Sequence, residues 1–216
     1  PDYTYAKYGE NAAPWSLYRS EITKVVIGAG VKNIGTYAFY QCTEVTEIEF
    51  ADEAELVAIN EGAFGYTTAL KNITLPASLD SIGKCGFYFS GLETVEFEEN
   101  SKLTTLGDYV FRNCTALSGI FIPDSTSKIG ASIFYKCDSQ VVMDVAEDSA
   151  AHKYAIKYSY AYNTREPQPF AKYSGTCGEG LTWELYTDGV LYINGSGEMP
   201  DYTYAKYGEN AAPWSL

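Results

Sequence analysis

The chain has 216 residues, a formal net charge of −13 and 20 tyrosines. Its acidity excludes nucleic acids and anionic membrane surfaces as expected partners, because like charges repel. No apolar run reaches the roughly 18 residues that a membrane-spanning helix needs, and the length allows one or two domains.

Residues 1–19 are rich in tyrosine, alanine and proline and contain Trp15. They precede a series of short repeats, and the first apolar layer of a stacked repeat array faces water unless something covers it. We therefore predict that residues 1–19 form an N-terminal cap, in which tyrosine and tryptophan rings cover the first repeat.

Five repeats follow, and two independent markers recur with the same spacings of 25, 23, 24 and 23 residues. The units are 20–43, 44–68, 69–91, 92–115 and 116–138. The aromatic marker falls at Phe39, Phe64, Phe87, Phe111 and Phe134, and the aliphatic marker at Ile34, Ile59, Ile82, Leu106 and Ile129. Two markers with matching spacings indicate that the repeat is real.

A period in the low twenties is typical of a leucine-rich-repeat solenoid. One unit cannot bury its apolar face alone, so stacking is expected to form continuous internal ladders of Ile, Phe and Cys side chains. The predicted fold is of the α+β repeat type: a solenoid with one parallel strand per unit, a short C-terminal cap helix and then a β-hairpin segment.

Each unit closes on a related motif: IGTYAFYQC, INEGAFGYT, IGKCGFYFS, LGDYVFRNC or IGASIFYKC. This pattern, over residues 20–138, resembles the BspA-like leucine-rich repeat family of bacterial surface proteins. Two units depart from it, because unit two has Tyr66 at the cysteine position and unit three has Ser90 there, with its cysteine at Cys85. The resemblance implies an extracellular, surface-displayed protein that is linked to adhesion.

The strands of the repeats are expected to leave one sheet face open. Alternate residues of a strand point to opposite sides, so with Val25 and its equivalents inside, their neighbours point outward. This candidate ligand face has an acidic middle and apolar ends: Val26, Glu47, Glu49, Thr74, Glu96 and Phe121. Solenoids bind partners on such faces, and the alternative is a solvated face without a ligand.

Neither the acidic loops nor the cysteines predict a metal site. Asp52, Glu53 and Glu55 offer carboxylates but lack the spacing and the glycine of a calcium loop, so a solvated charge run is predicted. The five cysteines have no zinc-type spacing and are expected to be buried free thiols. Cys114 and Cys137 lie in adjacent turns, which leaves one disulfide as an alternative.

Residues 139–164 break the period and are predicted to end the solenoid with a strand at 141–145 and a helix at 149–160, N-capped by Ser149. His152 on that helix has no partner in sequence and is interpreted as a surface or cap residue. Residues 165–216 are predicted to be a linker, which includes the proline-containing stretch 163–172, followed by a hairpin around Asp188-Gly189.

Residues 200–216 repeat residues 1–17 without one change. The hairpin and the segment after it are predicted to belong together as one cap of a tandem array. The copy at residues 1–17 has no such hairpin before it, so residues 1–19 are expected to leave a sheet edge exposed. The hairpin of a neighbouring molecule would fill that gap, which predicts head-to-tail self-association through residues 181–216.

The residues support a non-enzymatic module that binds a host or neighbouring-cell protein or glycan at the bacterial cell surface. No catalytic, metal or cofactor set is found, and no cofactor is expected. Two alternatives remain: an inert spacer in a tandem array, and carbohydrate binding through the Trp/Tyr-rich hairpin region, with Trp183 or Trp15 as the stacking rings.

Overall fold

The computed structural model describes residues 3–4, 11–137, 141–167 and 169–200. The chain divides into two compact units, Pro1–Gln168 and Pro169–Leu216. The first is the predicted solenoid with its helix, and the second is a small antiparallel sheet.

Each solenoid unit begins with a strand in which an outward residue alternates with a buried one, because every second side chain reaches the core. These long strands are β1 (Lys24–Ile27), β3 (Glu47–Phe50), β5 (Asn72–Leu75), β7 (Thr94–Phe97) and β9 (Gly119–Phe121). They pair in parallel as β1–β3 and β5–β7, and β9 pairs with a later strand. The ladder is interrupted after β3 and after β7, the two strands that lead into the acidic loops at 51–56 and 98–103.

A second strand in every unit, which the sequence did not predict, carries the aliphatic marker. These two-residue strands are β2 (Asn33–Ile34), β4 (Ala58–Ile59), β6 (Ser81–Ile82), β8 (Thr105–Leu106) and β10 (Lys128–Ile129). They form one continuous five-stranded parallel sheet in the order β2–β4–β6–β8–β10. The predicted solenoid is therefore confirmed, with a second parallel ladder added to the predicted one.

The turn after each short strand stacks on the turn of the next unit through regular main-chain hydrogen bonds. Between the first two units, the N–H groups of Tyr37, Phe39 and Gln41 donate to the carbonyls of Glu61, Ala63 and Gly65, at 2.8–2.9 Å. Later units repeat this pattern. The turns thereby satisfy their polar backbone groups between units, as buried backbone requires.

The phenylalanine markers form a stack of rings through the solenoid. Successive ring centroids from Phe39 to Phe134 lie 5.3–5.9 Å apart, with interplanar angles of 8–15°. Trp15 stacks on Phe39 at 5.4 Å, and its indole N–H donates to the carbonyl of Ala38 at 2.7 Å. At the far end Tyr160 meets Phe134 edge-on at 5.3 Å. The aromatic ladder thus has an aromatic neighbour at each end.

The cysteine position follows the aliphatic marker by eight residues and points inward. It holds Cys42, Thr67, Ser90, Cys114 and Cys137. The assignment of Tyr66 to this position was wrong: Thr67 is fully buried there, and its hydroxyl donates to the carbonyl of Phe64 at 2.9 Å. The alternative of a disulfide was also wrong, because all five cysteines are free. The thiols of Cys114 and Cys137 instead donate to the carbonyls of Phe87 and Phe111, one unit earlier, at 3.1 and 3.2 Å.

The solenoid ends with strand β11 (Val142–Ala146), helix α1 (Ala150–Tyr158) and strand β12 (Tyr162–Arg165). Strand β11 pairs in parallel with β9 on one side and with β12 on the other, so residues predicted to begin a linker are a strand. The predicted helix is confirmed, and the Ser149 hydroxyl accepts from the N–H of His152 at 3.1 Å. His152 Nδ1 accepts from the N–H of Asp148 and the ring meets Tyr162 edge-on, contacts that hold the helix end.

The second compact unit of the chain, called here the antiparallel unit, is an antiparallel sheet of three strands. They are β13 (Ala171–Gly178), β14 (Leu181–Tyr186) and β15 (Leu191–Gly195). The predicted hairpin is β14–β15, and Asp188 accepts from the N–H of Val190 in its turn at 3.0 Å. Strand β13 was missed, because its sequence is rich in Ser, Gly and Thr rather than in strand-forming apolar residues. The small core of this three-stranded sheet contains Cys177, Leu181 and Trp183.

Candidate binding surfaces

The outward residues of the long strands form the first candidate surface, called here the strand face. It consists of the predicted ligand residues Val26, Glu47, Glu49, Thr74, Glu96 and Phe121, all exposed. The residues between them are buried, except for Phe50 and Phe97 at the ends of β3 and β7, which are half-buried. The pairing of β1 with β3 brings Val26 beside Glu49, and that of β5 with β7 brings Thr74 beside Glu96.

Charges on the strand face are only partly paired. Lys24 Nζ lies 3.2 Å from Glu47 and 2.5 Å from Glu49, and the hydrogen bond from Lys24 lowers the pKa of the Glu49 carboxyl. Lys24 therefore forms ion pairs with two carboxylates. Glu96 accepts only a 3.4 Å hydrogen bond from the Thr74 hydroxyl among the residues described. The middle of the face remains negative, which suits a cationic partner surface.

Phe121, the predicted aromatic anchor, is not an open ring. The guanidinium of Arg165 lies 4.3 Å above its centroid, and Arg165 also pairs with Asp124 and Asp144, at 2.5 and 3.3 Å. The ring is 36% exposed, against 64% for Val26 at the other end. A ligand at this end of the strand face therefore meets an arginine stacked on a phenylalanine, held by two carboxylates.

The turns after the short strands carry a second surface, which sequence reasoning missed. It is built from the positions three, six and seven residues after each aliphatic marker, where seven of the fifteen residues are aromatic. This tyrosine strip consists of Tyr37, Tyr40, Tyr66, Tyr88, Phe89, Tyr109, Arg112 and Tyr135. The abundance of tyrosine was the available signal, but only the alignment of the turns shows that these tyrosines share one surface.

Left-handed backbone builds the strip. The third residue after each marker has φ between 52° and 60°, and the seventh between 56° and 62°, in all five units. Nine of these ten residues are not glycine. Because this conformation costs roughly 1–2 kcal/mol for an ordinary residue, the stacked turns must enforce it. The consequence is that bulky side chains such as Tyr66 and Phe89 leave the core side and lie on the surface.

The rings of the strip contact one another across the units. Tyr66 lies 5.1 Å from Tyr88 and stacks on Phe89 at 4.8 Å, measured between ring centroids. The hydroxyls of Tyr66 and Tyr88 are 3.2 Å apart, and this hydrogen bond, followed by burial, raises the pKa of Tyr88 to about 12. The Tyr88 hydroxyl therefore stays protonated at neutral pH, and one of the two hydroxyls donates to the other.

The rings proposed for sugar stacking in the hairpin region are largely covered. Trp183 is 6% exposed, and its indole lies so close to Gly175 that an added Cβ there would come within 2.8 Å of Nε1. Trp15 is half-buried between Tyr3 and Phe39. Among the described residues 169–200, the exposed rings are instead Tyr173 and Tyr192, at 55% and 49%.

In the described ranges of the chain, no group of three or more His, Cys, Asp or Glu side chains is placed to hold a metal ion. Glu55 of the acidic loop instead lies 3.7 Å from Lys32. Within those ranges no helix combines the length and the apolar character needed to cross a bilayer.

Parallel strands, stacked turns and continuous Ile, Phe and Cys ladders define a leucine-rich-repeat solenoid. A family model for the BspA type leucine rich repeat region matches residues 14–142 with six copies, against the five units counted from the spacing. The match covers more than half of the chain, and the chain belongs to this family. Leucine-rich repeat proteins are generally protein-interaction modules.

Solved structures of bacterial proteins are similar in fold. The crystal structure of the pneumococcal vaccine antigen PcpA matches with a TM-score of 0.52 and 23% identity, over 79% of this chain and 34% of that chain. A leucine rich cell surface protein from Faecalibacterium prausnitzii matches with a TM-score of 0.42 and 19% identity, over 79% and 44%. A leucine rich repeat protein from T. pallidum matches with a TM-score of 0.38 and 26% identity, over 56% and 45%.

The chain thus spans about a third of the length of PcpA and less than half of the other two proteins. A comparison with curated proteins finds no match. At this level of identity, the likeness to PcpA concerns the fold.

Proposed function

We propose that this chain is a non-enzymatic interaction module, displayed outside the cell on a bacterial surface, which binds a protein or glycan partner through the strand face. The observation that carries the proposal is the open, acidic middle of that face. Its carboxylates at Glu47, Glu49 and Glu96 outnumber the one lysine that contacts them, Lys24. The family assignment and the bacterial surface protein among the structural neighbours support this role.

The partner is expected to present a cationic surface. Complementary charge speeds encounter and improves specificity more than it adds affinity, so binding should weaken as salt is raised. Val26, with 64% exposure, supplies an apolar contact at the edge of the acidic region. At the other end of the face the partner meets the Arg165–Phe121 pair, whose guanidinium is already bound by Asp124 and Asp144.

The test uses the fluorescently labelled chain and measures its binding to cultured epithelial cells and to bacterial cells. The variant Glu47→Gln/Glu49→Gln/Glu96→Gln should lose most of the binding while its melting temperature stays close to that of the parent. The matched control, Asp52→Asn/Glu53→Gln/Glu99→Gln, changes net charge by the same amount in exposed loops and should bind normally.

Binding by both triple variants that equals binding by the parent, or loss of binding by both, would contradict the role of the strand face. Loss by both would indicate that total charge, rather than this surface, attracts the cells. Absence of binding by the parent chain itself would favour the inert-spacer alternative.

We also propose head-to-tail self-association through residues 181–216. The contacts described between residues 1–19 and the first repeat are the ones that such an association would reproduce. The N–H of Tyr3 donates to the carbonyl of Thr36 at 2.9 Å, and Trp15 covers Phe39. Since residues 200–216 are identical to 1–17, Tyr202 and Trp214 of one molecule would replace Tyr3 and Trp15 on the first repeat of another, as an exchange of identical segments.

Solution mass tests this proposal. The chain should show a concentration-dependent rise in mass, and a truncation that lacks residues 173–216 should not. The variant Trp214→Ala distinguishes a specific cap contact from non-specific association, because it should reduce association as strongly as the truncation does. A parent chain that stays monomeric at high concentration would refute the proposal.

A further inference from the structure

The centre of the tyrosine strip holds an arginine without a carboxylate partner. The guanidinium carbon of Arg112 lies 5.5 Å from the ring centroid of Tyr88, 5.7 Å from that of Tyr109 and 5.2 Å from that of Tyr135. These rings come from three successive units. Within the described part of the chain, Arg112 forms no ion pair, and its buried Nε atom has no hydrogen-bond acceptor.

This environment differs from that of Arg165, which forms ion pairs. Arg165 also lies over an aromatic ring, but it is fixed by Asp124 and Asp144. Arg112 instead lies among rings, and among the residues that the structure describes no carboxylate pairs with its guanidinium. A guanidinium presents its donors in one plane, with a spacing that fits a carboxylate.

The surroundings favour a sugar over a peptide. The turn N–H groups of Phe89, Tyr109 and Asn113 already donate to the carbonyls of the next unit, so an extended peptide finds no free edge to pair with along these turns. What the strip does offer is half-buried ring surface and hydroxyls. These suit a ligand with apolar ring faces and many hydroxyl groups.

We propose that Arg112 and the tyrosine rings around it bind an acidic polysaccharide, with the guanidinium on a sugar carboxylate and the rings against the faces of the adjoining sugars. The site is separate from the strand face and does not depend on the function proposed for it. Tyr135, with 45% exposure, and Tyr88 with its hydroxyl paired to Tyr66 are the rings that flank the carboxylate.

The local charge makes the site selective rather than generally attractive to anions. The chain carries −13 overall, and Lys84 near this surface is occupied by Glu61 at 3.9 Å. A polyanion without ring faces therefore gains contacts with Arg112 and with Lys136, whose Nζ lies 5.6 Å from the ring centroid of Tyr135, against the repulsion of the whole molecule. A glycan adds ring stacking to those contacts, so it should bind better than a peptide of equal charge.

The experiment measures binding of the full chain to two labelled probes, an oligogalacturonide and a hyaluronan oligosaccharide. The methyl ester of the oligogalacturonide is the matched ligand control, because it keeps the sugar faces and removes the charge. We expect the free acid of at least one probe to bind and the ester of the oligogalacturonide to bind at least about tenfold more weakly, as loss of a charged hydrogen bond predicts.

The variants assign the effect to Arg112. Arg112→Gln should weaken binding about tenfold or more, whereas Lys128→Gln, which makes the same change in net charge at an exposed residue of β10, should not. Tyr135→Ala removes an exposed ring without opening the core and should also weaken binding. It keeps the proposal testable if Arg112→Gln lowers the melting temperature.

Four results would overturn the proposal: no binding of either probe, equal binding of acid and ester, equal binding by Arg112→Gln, or equal or tighter binding of an oligoglutamate of the same charge. The last result would identify an acidic peptide as the partner class instead. The strand-face variant Glu47→Gln/Glu49→Gln/Glu96→Gln should keep its glycan binding, which separates this test from that of the proposed function.

Discussion

The solenoid and the antiparallel unit bury their apolar side chains in different ways. In the solenoid, one hydrophobic cluster extends from Val25 to Ala155, and each buried ring contacts its equivalents in the units before and after it. In the antiparallel unit the buried cluster contains Cys177, Leu181 and Trp183, with Leu185 and Leu191 packed beside it. Stacked repeats share each core residue between neighbours, so stability grows with the number of units, whereas a three-stranded sheet has only its own small core.

Phe87→Ala tests the solenoid at its centre and should have the largest effect. The ring is fully buried between Phe64 and Phe111, so its removal leaves a cavity that costs about 3–5 kcal/mol of unfolding free energy. Urea unfolding measures the loss. The control is Phe121→Ala, whose ring is exposed on the strand face and should cost about 1 kcal/mol or less. Equal losses for the two variants would show that the ring ladder does not stabilise the solenoid.

Trp183→Ala tests the antiparallel unit. The side chain is the largest in its cluster, and the cluster is too small to compensate for its loss. We expect amide hydrogen exchange to accelerate throughout β13–β15 and to stay unchanged in the solenoid strands. Tyr192→Ala, at an exposed position of β15, should leave exchange in both regions unchanged. Faster exchange in β5 and β7 of the Trp183 variant would show that the two cores are coupled.

Ser149→Ala tests the end of the solenoid, where packing passes from strands to a helix. Loss of the N-cap hydrogen bond to His152 should cost about 1 kcal/mol. The effect should appear as faster exchange in α1. A spread to Ile133, whose N–H donates to the Tyr154 hydroxyl of that helix at 3.1 Å, would show how far the cap stabilises the last repeat.

Alkaline pH should destabilise the solenoid less than the substitutions above do, and the loss of stability should grow gradually as the pH rises. Burial raises the pKa of both the Cys114 thiol and the Tyr154 phenol to about 12, whereas in unfolded chains these groups titrate near 8.5 and 10. Above pH of about 8.5 the unfolded chain therefore loses protons that the folded chain keeps, and stability falls as pH rises.

The urea midpoint should accordingly decrease between pH 8 and pH 11. Cys114→Ser places the residue that unit three has at this position, and it should reduce the part of the decrease that begins near pH 8.5. The rest of that part comes from Cys42 and Cys85, because burial also raises the pKa of these two thiols. A midpoint that stays constant to pH 11 would contradict the assignment of these raised pKa values to burial.

The repeat, the solenoid and the terminal helix were predictable because they follow from local periodicity. Ile and Phe recur at fixed spacing, and a side chain that recurs in every unit must occupy the same layer when the units stack. The Ser149 cap was predictable for the same reason, since an N-cap depends only on residues within three positions. The division of the chain into an N-terminal cap, five repeats, a terminal segment and a linker with hairpin stays a prediction.

Tertiary structure alone decided which side chains reach the surface together. Tyr88, Tyr109, Arg112 and Tyr135 are up to 47 residues apart in the sequence, and only the stacked left-handed turns bring their side chains into contact. Likewise, Arg165 covers Phe121 because β12 pairs with β11, in a segment whose composition indicated a linker. The sequence by itself thus determined the ladder inside the solenoid, because periodicity acts along the chain. The surfaces on its outside depend on contacts between units, which periodicity does not specify.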